Sequence, residues 1–139
     1  MLVPGGPLVT IVVFLAIASP MAGHQTPSEK EARTATQRKI NSQLLYEIYR
    51  HRGEAERKGV PPGETGVKID ARGRALVDVR ADVTAGLQAR IRALGGTIVS
   101  TSREHHSIIA RVSLLRLERL AADSSVQFIE PAAEAITVR

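Results

Sequence analysis

Between Ala75 and Glu130 one order of hydrophobic periods is written twice, and this limits the available folds more than any other feature of the chain. ALVDVRA, residues 75–81, has the two-residue alternation of a strand. Ala75, Val77, Val79 and Ala81 share one face, and Leu76, Asp78 and Arg80 share the other. Helical spacing follows, in Val83, Leu87, Ile91 and Leu94. Thr84 stands at the N-cap position, and Gly95-Gly96 supplies the positive φ that a helix C-terminus favours. TIVSTS, residues 97–102, returns as a strand. The second round begins with SIIARV, residues 107–112, which sets Ile108, Ala110 and Val112 against Ile109 and Arg111. Ser113 is expected to cap a helix carrying Leu114, Leu117, Leu120 and Ala121. Asp123-Ser124-Ser125 forms the turn out, and VQFIE, residues 126–130, is a last strand stopped by Pro131.

The order strand, helix, strand, strand, helix, strand comprises two βαβ units. Right-handed crossovers place both helices on one face of the sheet. The expected class is therefore α+β, a ferredoxin-like βαββαβ sandwich. Val67–Asp70 is expected as a short extra strand, joined to the first repeat by the turn Ala71–Arg74. The second sheet face receives no helix in this count. It meets solvent, lies under the N-terminal helix, or docks a partner. A unit of about 60 residues buries only about 60% of its unfolded surface, so stability is expected to be marginal alone and greater when bound.

Ahead of this unit lie an apolar run and a charged arm. Leu8–Ala18, LVTIVVFLAIA, is broken only by Thr10. It falls short of the about 20 residues that span a bilayer, and its length suits the centre of a secretory signal. Ala16-Ile17-Ala18 offers a small-x-small cleavage site, and a cut near Ala22 or Gly23 would start the mature chain close to His24. The front end, MLVPGGP, departs from the signal pattern in having no Lys or Arg. From Ser28 the composition turns charged. Ser28 and Glu31 have capping-box spacing, and Ile40, Leu44, Leu45 and Ile48 recur on one helical face, widened by Tyr49 and Ala55. A helix from Ser28 to Lys58 is expected, ended by Gly59, Pro61, Pro62 and Gly63. Mixed charges on its far face read as a surface helix docked through its Ile/Leu stripe. The domain reading is then signal 1–23, helical arm and linker 24–63, sandwich 64–131 and extended tail 132–139.

Several kinds of chemistry lack their residues. The chain has no Cys, which removes a disulfide scaffold, a thiolate zinc site and a cysteine nucleophile. Neither G-x-S-x-G nor a G-x-x-x-x-G-K phosphate loop occurs. The four histidines are His24, His51, His105 and His106, none within a nucleophile motif. Glu104-His105-His106 is the only clustered ligand set, and adjacent side chains at a hairpin tip diverge, so no metal site and no cofactor is expected. The net charge of +5 is spread along the chain, unlike a nucleic-acid footprint. RNA-binding domains share this strand order but stack bases on aromatic residues of the central strands. TIVSTS and SIIARV contain none, so no nucleic-acid partner is expected.

QRKINSQLLYEIYR, then VPPGETGVKID, then the stretch from Gly73 to Ala135 together resemble a known region. That region is the N-terminal, propeptide-like (peptidase-inhibitor-type) segment that precedes the catalytic domain in secreted bacterial subtilisin-like serine peptidases. The resemblance covers about residues 37–135. Its signal is an ordered set: ALGG, a strand, a short loop, I-x-A-x-V, a Leu-rich helix, then V-x-F-I-x-P. It implies a ferredoxin-like module that lays its open sheet on two helices of a protease, acting as inhibitor and folding assistant, an intramolecular chaperone. It also implies that the tail enters the substrate cleft as an added strand, through Ala135, Ile136, Thr137, Val138 and Arg139. Ile136 and Val138 would fill pockets, and Arg139 would lie nearest the scissile position. Glu104 would accept hydrogen bonds from a protease helix N-terminus. His105 and His106, a departure from the family's loop, would make that contact pH-sensitive. The catalytic Asp, His and Ser segments are missing from these 139 residues. The implied partner is a subtilisin-like serine protease, bound in cis or in trans.

The reading is thus a secreted or periplasmic, envelope-located, non-enzymatic module, with no stable membrane association after signal cleavage. The alternative is an exported ferredoxin-like protein–protein interaction module unrelated to proteases.

Overall fold

The computed structural model describes residues 26–134, together with Leu2, Gly5, Gly6 and Gly23. The signal-like run Leu8–Ala18 and the tail residues Ala135–Arg139 lie outside the described residues. Four strands form one antiparallel sheet: β1 (Arg74–Ala81), β2 (Thr97–Ser102), β3 (Ser107–Ser113) and β4 (Val126–Pro131), in the order β2-β3-β1-β4. Three α-helices accompany it: α1 (Ser42–His51), α2 (Ala85–Ala93) and α3 (Leu117–Ala121). The fold is α+β. From β1 to β4 the elements follow the expected order of strand, helix, strand, strand, helix, strand.

Alternation decides which face of the sheet is buried. Ala75, Val77, Val79 and Ala81 of β1 are fully buried, as are Ile108, Ala110 and Val112 of β3 and Ile129 of β4. They join Leu87 and Ile91 of α2 and Leu117, Leu120 and Ala121 of α3 in one apolar cluster, so both helices cover the same face. Thr84 caps α2, its hydroxyl accepting from the Leu87 N–H at 3.1 Å. α2 ends as a Schellman turn: Gly95 N–H donates to the Arg92 carbonyl and Gly96 N–H to that of Ile91. Gly95 has φ +80°, and a Cβ on Gly96 would come within 2.7 Å of Ile91 Cγ2 and 2.8 Å of the Ile91 carbonyl oxygen. One glycine is required by conformation and the other by close approach.

The arm differs from the single helix expected over residues 28–58. The Ser28–Glu31 capping box forms, with Ser28 N–H donating to Glu31 at 2.8 Å, but it closes only a turn. Thr34 and Gln37 make a second reciprocal pair, which opens the 3-10 turn Gln37–Lys39. Ile40 is then extended and bridges Ile129 in parallel, and Asn41 N–H donates to the Ile129 carbonyl at 2.8 Å. That bond breaks the helical path at the free edge of β4. Asn41 restarts it as the N-cap of α1, accepting from Gln43 N–H. α1 stops well before Gly59: Gly53, at φ +68°, forms a Schellman turn in which Glu54 N–H donates to the Tyr49 carbonyl.

Two further expectations are corrected. Val67–Asp70 is no strand and makes only the single bridge between Ile69 and Ala75. Turn chemistry wins there, because the Asp70 carboxylate accepts from the Arg72 and Arg74 N–H groups and from the Arg74 guanidinium. Ser113 makes no side-chain cap. The helical stretch begins instead as a 3-10 turn, Leu114–Arg116, whose first N–H donates to the Gly73 carbonyl at 3.0 Å.

The arm belongs to the core. Ile40, Leu44, Leu45, Ile48 and Tyr49 are at most 1% exposed and fall within the same cluster as the sheet and its helices. The division drawn after Gly63 follows the linker, whereas the buried cluster runs across it. α1 packs on the 3-10 turn 114–116, and residues 37–39 pack on β4 and α3. Polar ties hold the join: Glu118 accepts from Gln37 at 2.9 Å and from Arg52 at 3.0 Å, and Lys39 reaches the Asp123 carbonyl. Burial pushes the Glu118 carboxyl up, but the Gln37 and Arg52 bonds outweigh it and hold it below its ordinary 4.5. The stability linked to this group is complete above that value and drains away as pH falls through the lowered one.

Because the stripe completes the core, Ile48→Ala is expected to destabilise the full chain by about 2–5 kcal/mol. Urea unfolding followed by circular dichroism should show one transition moved to lower denaturant. An unmoved midpoint, or a separate early transition for the arm, would show that the arm is an appendage.

Candidate functional site

Register places a second set of side chains on the face opposite the helices. Across the sheet from β2 to β4, one row is Ser102, Ser107, Arg80 and Phe128. The next is Ser100, Ile109, Asp78 and Glu130. The third is Thr97, Arg111 and Leu76, extended by the Ala132 N–H donating to the Leu76 carbonyl at 3.0 Å. Leu76, Ile109 and Phe128 are half-buried, while Thr97, Ser100 and Arg80 are exposed. The arm packs against the helical side and the β4 edge, so it leaves this face open.

A polar network crosses the centre. The Ser107 hydroxyl donates to Asp78 Oδ1 at 2.6 Å, and both residues are 9% exposed. The Arg80 guanidinium lies 3.1 Å from Asp78 Oδ2 and 3.3 Å from Glu130 Oε1. Three strands are thereby laced together on one side. A carboxylate so nearly buried on a central strand needs these partners. Sequence alternation placed Leu76, Asp78 and Arg80 on this face. It missed Ser107 and Glu130, whose roles depend on cross-strand register. The signal for them was an Asp and an Arg two apart within an otherwise apolar strand.

The loop residues singled out from sequence stand at one end of the sheet. Glu104, His105 and His106 form the exposed tip of the β2–β3 hairpin. His105 N–H donates to the Ser102 hydroxyl at 3.2 Å, and the His106 carbonyl accepts from Ala81 N–H at 2.9 Å. His106 adopts φ +49° and sets its Nδ1 3.6 Å from Asp82 Oδ1. Among the described residues no group of three or more metal-ligating side chains comes together, and no helix is long and apolar enough to cross a membrane.

The chain leaves β4 at the other end. Pro131 pairs with Val77, whereas Arg80 and Ser107 pair beside the hairpin tip. A groove of about 490 Å³ opens there between Val67, Leu76, Pro131 and Ala132, with Lys68 and Glu134 paired at 3.2 Å on its rim. The tail residues Ala135–Arg139 follow this groove in sequence but lie outside the described residues. Glu104 and the start of the tail are thus at opposite ends of the face. A partner touching both must cover roughly 20 Å along the strands.

Comparison with protein-family models, with curated proteins and with solved structures finds no match to this chain.

Asp78 holds the network together. Asp78→Ala strands the nearly buried Ser107 hydroxyl and is expected to destabilise by about 1–3 kcal/mol. The Arg80 contribution is small because that side chain is 44% exposed. In a double-mutant cycle Asp78→Ala and Ser107→Ala should couple by at least about 0.5 kcal/mol. Additive effects would mean that the 2.6 Å bond contributes nothing to stability.

Proposed function

We propose that this chain is a secreted, propeptide-like module of ferredoxin-like type that binds a subtilisin-like serine protease. In this reading the open sheet face lies on the protease and the tail beyond Pro131 enters the substrate cleft as an added strand. The observation that carries the reading is the placement of the arm. Its five buried apolar residues, Ile40 among them, lie in the cluster on the helical side, and the opposite face is left open with Leu76, Ile109 and Phe128 half-buried. Strand order and the two helical crossovers are those the ferredoxin-like arrangement requires. The exit also supports the reading. Pro131 ends β4 beside an apolar groove at one end of the face, so the tail starts at the border of the docking surface.

Glu104 takes the role of a second anchor at the far end, where a protease helix N-terminus would meet its carboxylate. His105 and His106 flank that contact at the exposed hairpin tip. The apolar run Leu8–Ala18 serves as the export signal, which gives the module an extracytoplasmic site of action.

The test uses the full chain against a set of bacterial subtilisins. Slow, tight inhibition is expected. Ile109→Lys, which sets a cation opposite Asp78 on the open face, should weaken it at least tenfold while leaving the thermal midpoint within a few degrees. Truncation after Pro131 should abolish inhibition while weaker binding persists. Full inhibition by the truncated form contradicts the cleft mechanism. An absence of binding to every protease in the set contradicts the protease reading and favours an unrelated partner.

A further inference from the structure

The two edges of the sheet are treated differently. The β4 edge is met by the chain itself, through the Ile40 bridge and the Asn41 N–H bond to Ile129. β2 forms the other edge, and among the described residues no strand pairs with its outer side. Edge strands are normally blunted with a lysine, a proline, an inward-pointing charge or a bulge. β2 carries a bulge, where its register against β3 shifts between Ile98 and Ser100, but its sequence TIVSTS has neither charge nor proline. Val99 at the bulge is 58% exposed.

α2 packs on β2, and its exposed positions are Ala85, Gly86, Ala89, Arg90, Arg92 and Ala93. We propose that the β2 edge pairs antiparallel with β2 of a second copy of this chain, about a twofold axis, fusing two sheets into one of eight strands. A strand without charge is suited to its own copy, because self-pairing brings no like charges opposite one another. Centred on Val99 and Ser100, the register sets Ser102 of one copy against Thr97 of the other. It then carries Glu104 toward the Gly95 end of the second copy, where Arg116 donates to the Leu94 carbonyl at 2.8 Å. The twofold repeats this opposite-charge meeting. An edge of six residues buries less than a standard interface, so the dimer is weak, with a dissociation constant on the order of 10 μM. The edge and the open face are different surfaces, and the pairing stands whether or not a protease binds.

The absence of native cysteine gives a clean test. Single-cysteine variants at each position from Thr97 to Ser102, and at Gln127 on β4 as a control, are oxidised and run without reductant. In this register position 99 of one copy opposes position 100 of the other, so disulfide dimers should form best when Val99→Cys and Ser100→Cys chains are mixed, since opposed strand residues lie about 4.5–5.5 Å apart at Cα, within disulfide range. Sedimentation equilibrium should show a monomer–dimer equilibrium that Val99→Lys weakens at least tenfold without moving the thermal midpoint. A chain that stays monomeric to millimolar concentration, a dimer that survives Val99→Lys, or equal crosslinking from Gln127→Cys overturns the proposal.

Discussion

One backbone hydrogen bond organises the molecule around it: Asn41 N–H to the Ile129 carbonyl at 2.8 Å. It stops the arm from continuing as a helix, closes the free edge of β4 and turns the next ten residues over the helical side as α1. Everything apolar in the arm then has one place to go. Leu44, Leu45, Ile48 and Tyr49 complete a core that the strands and the two crossover helices share. A small aliphatic unit gains in this way the buried area its own length denies it. Covering one side twice leaves the other side uncovered. The open face is the direct consequence.

That face is stable although it meets solvent. Asp78 would be a liability on a central strand if it stood alone. Ser107 from β3 and Arg80 from its own strand satisfy it, and Arg80 passes the link to Glu130 on β4. Polar lacing in the middle and apolar residues around it give a surface that holds its shape before any partner arrives. If this face docks a protease as proposed, a surface already fixed in shape loses little conformational freedom on binding.

Most of the sheet was legible because two-residue alternation and burial have the same cause. The split of Ala75, Val77, Val79 and Ala81 from Leu76, Asp78 and Arg80 could be read directly, as could Thr84 and Gly95-Gly96 at the two ends of α2. The failures share a different cause. Val67–Asp70 looked like a strand, but the Asp70 side chain gathers the next backbone N–H groups into a turn. Ser113 looked like a cap, but the carbonyl of Gly73, distant in sequence, took that role. The arm read as one helix because its stripe is periodic, and the break at Ile40 is set by a strand almost ninety residues later (~90). Long-range backbone bonds leave no local trace. Ser107 and Glu130 were hidden for the same reason, since only register brings them to Asp78 and Arg80.

The central claim is that one side of β1 is sealed and the other is free. Adjacent residues on that strand answer it. In this cysteine-free chain, Val79→Cys and Arg80→Cys are exposed separately to a maleimide under native conditions. Val79 is fully buried and the Arg80 side chain is 44% exposed. Arg80→Cys is expected to react near the rate of a free thiol and Val79→Cys to be slowed roughly a thousandfold, since its labelling needs unfolding. Equal protection at both positions would show that the second face is covered, and the account would be wrong.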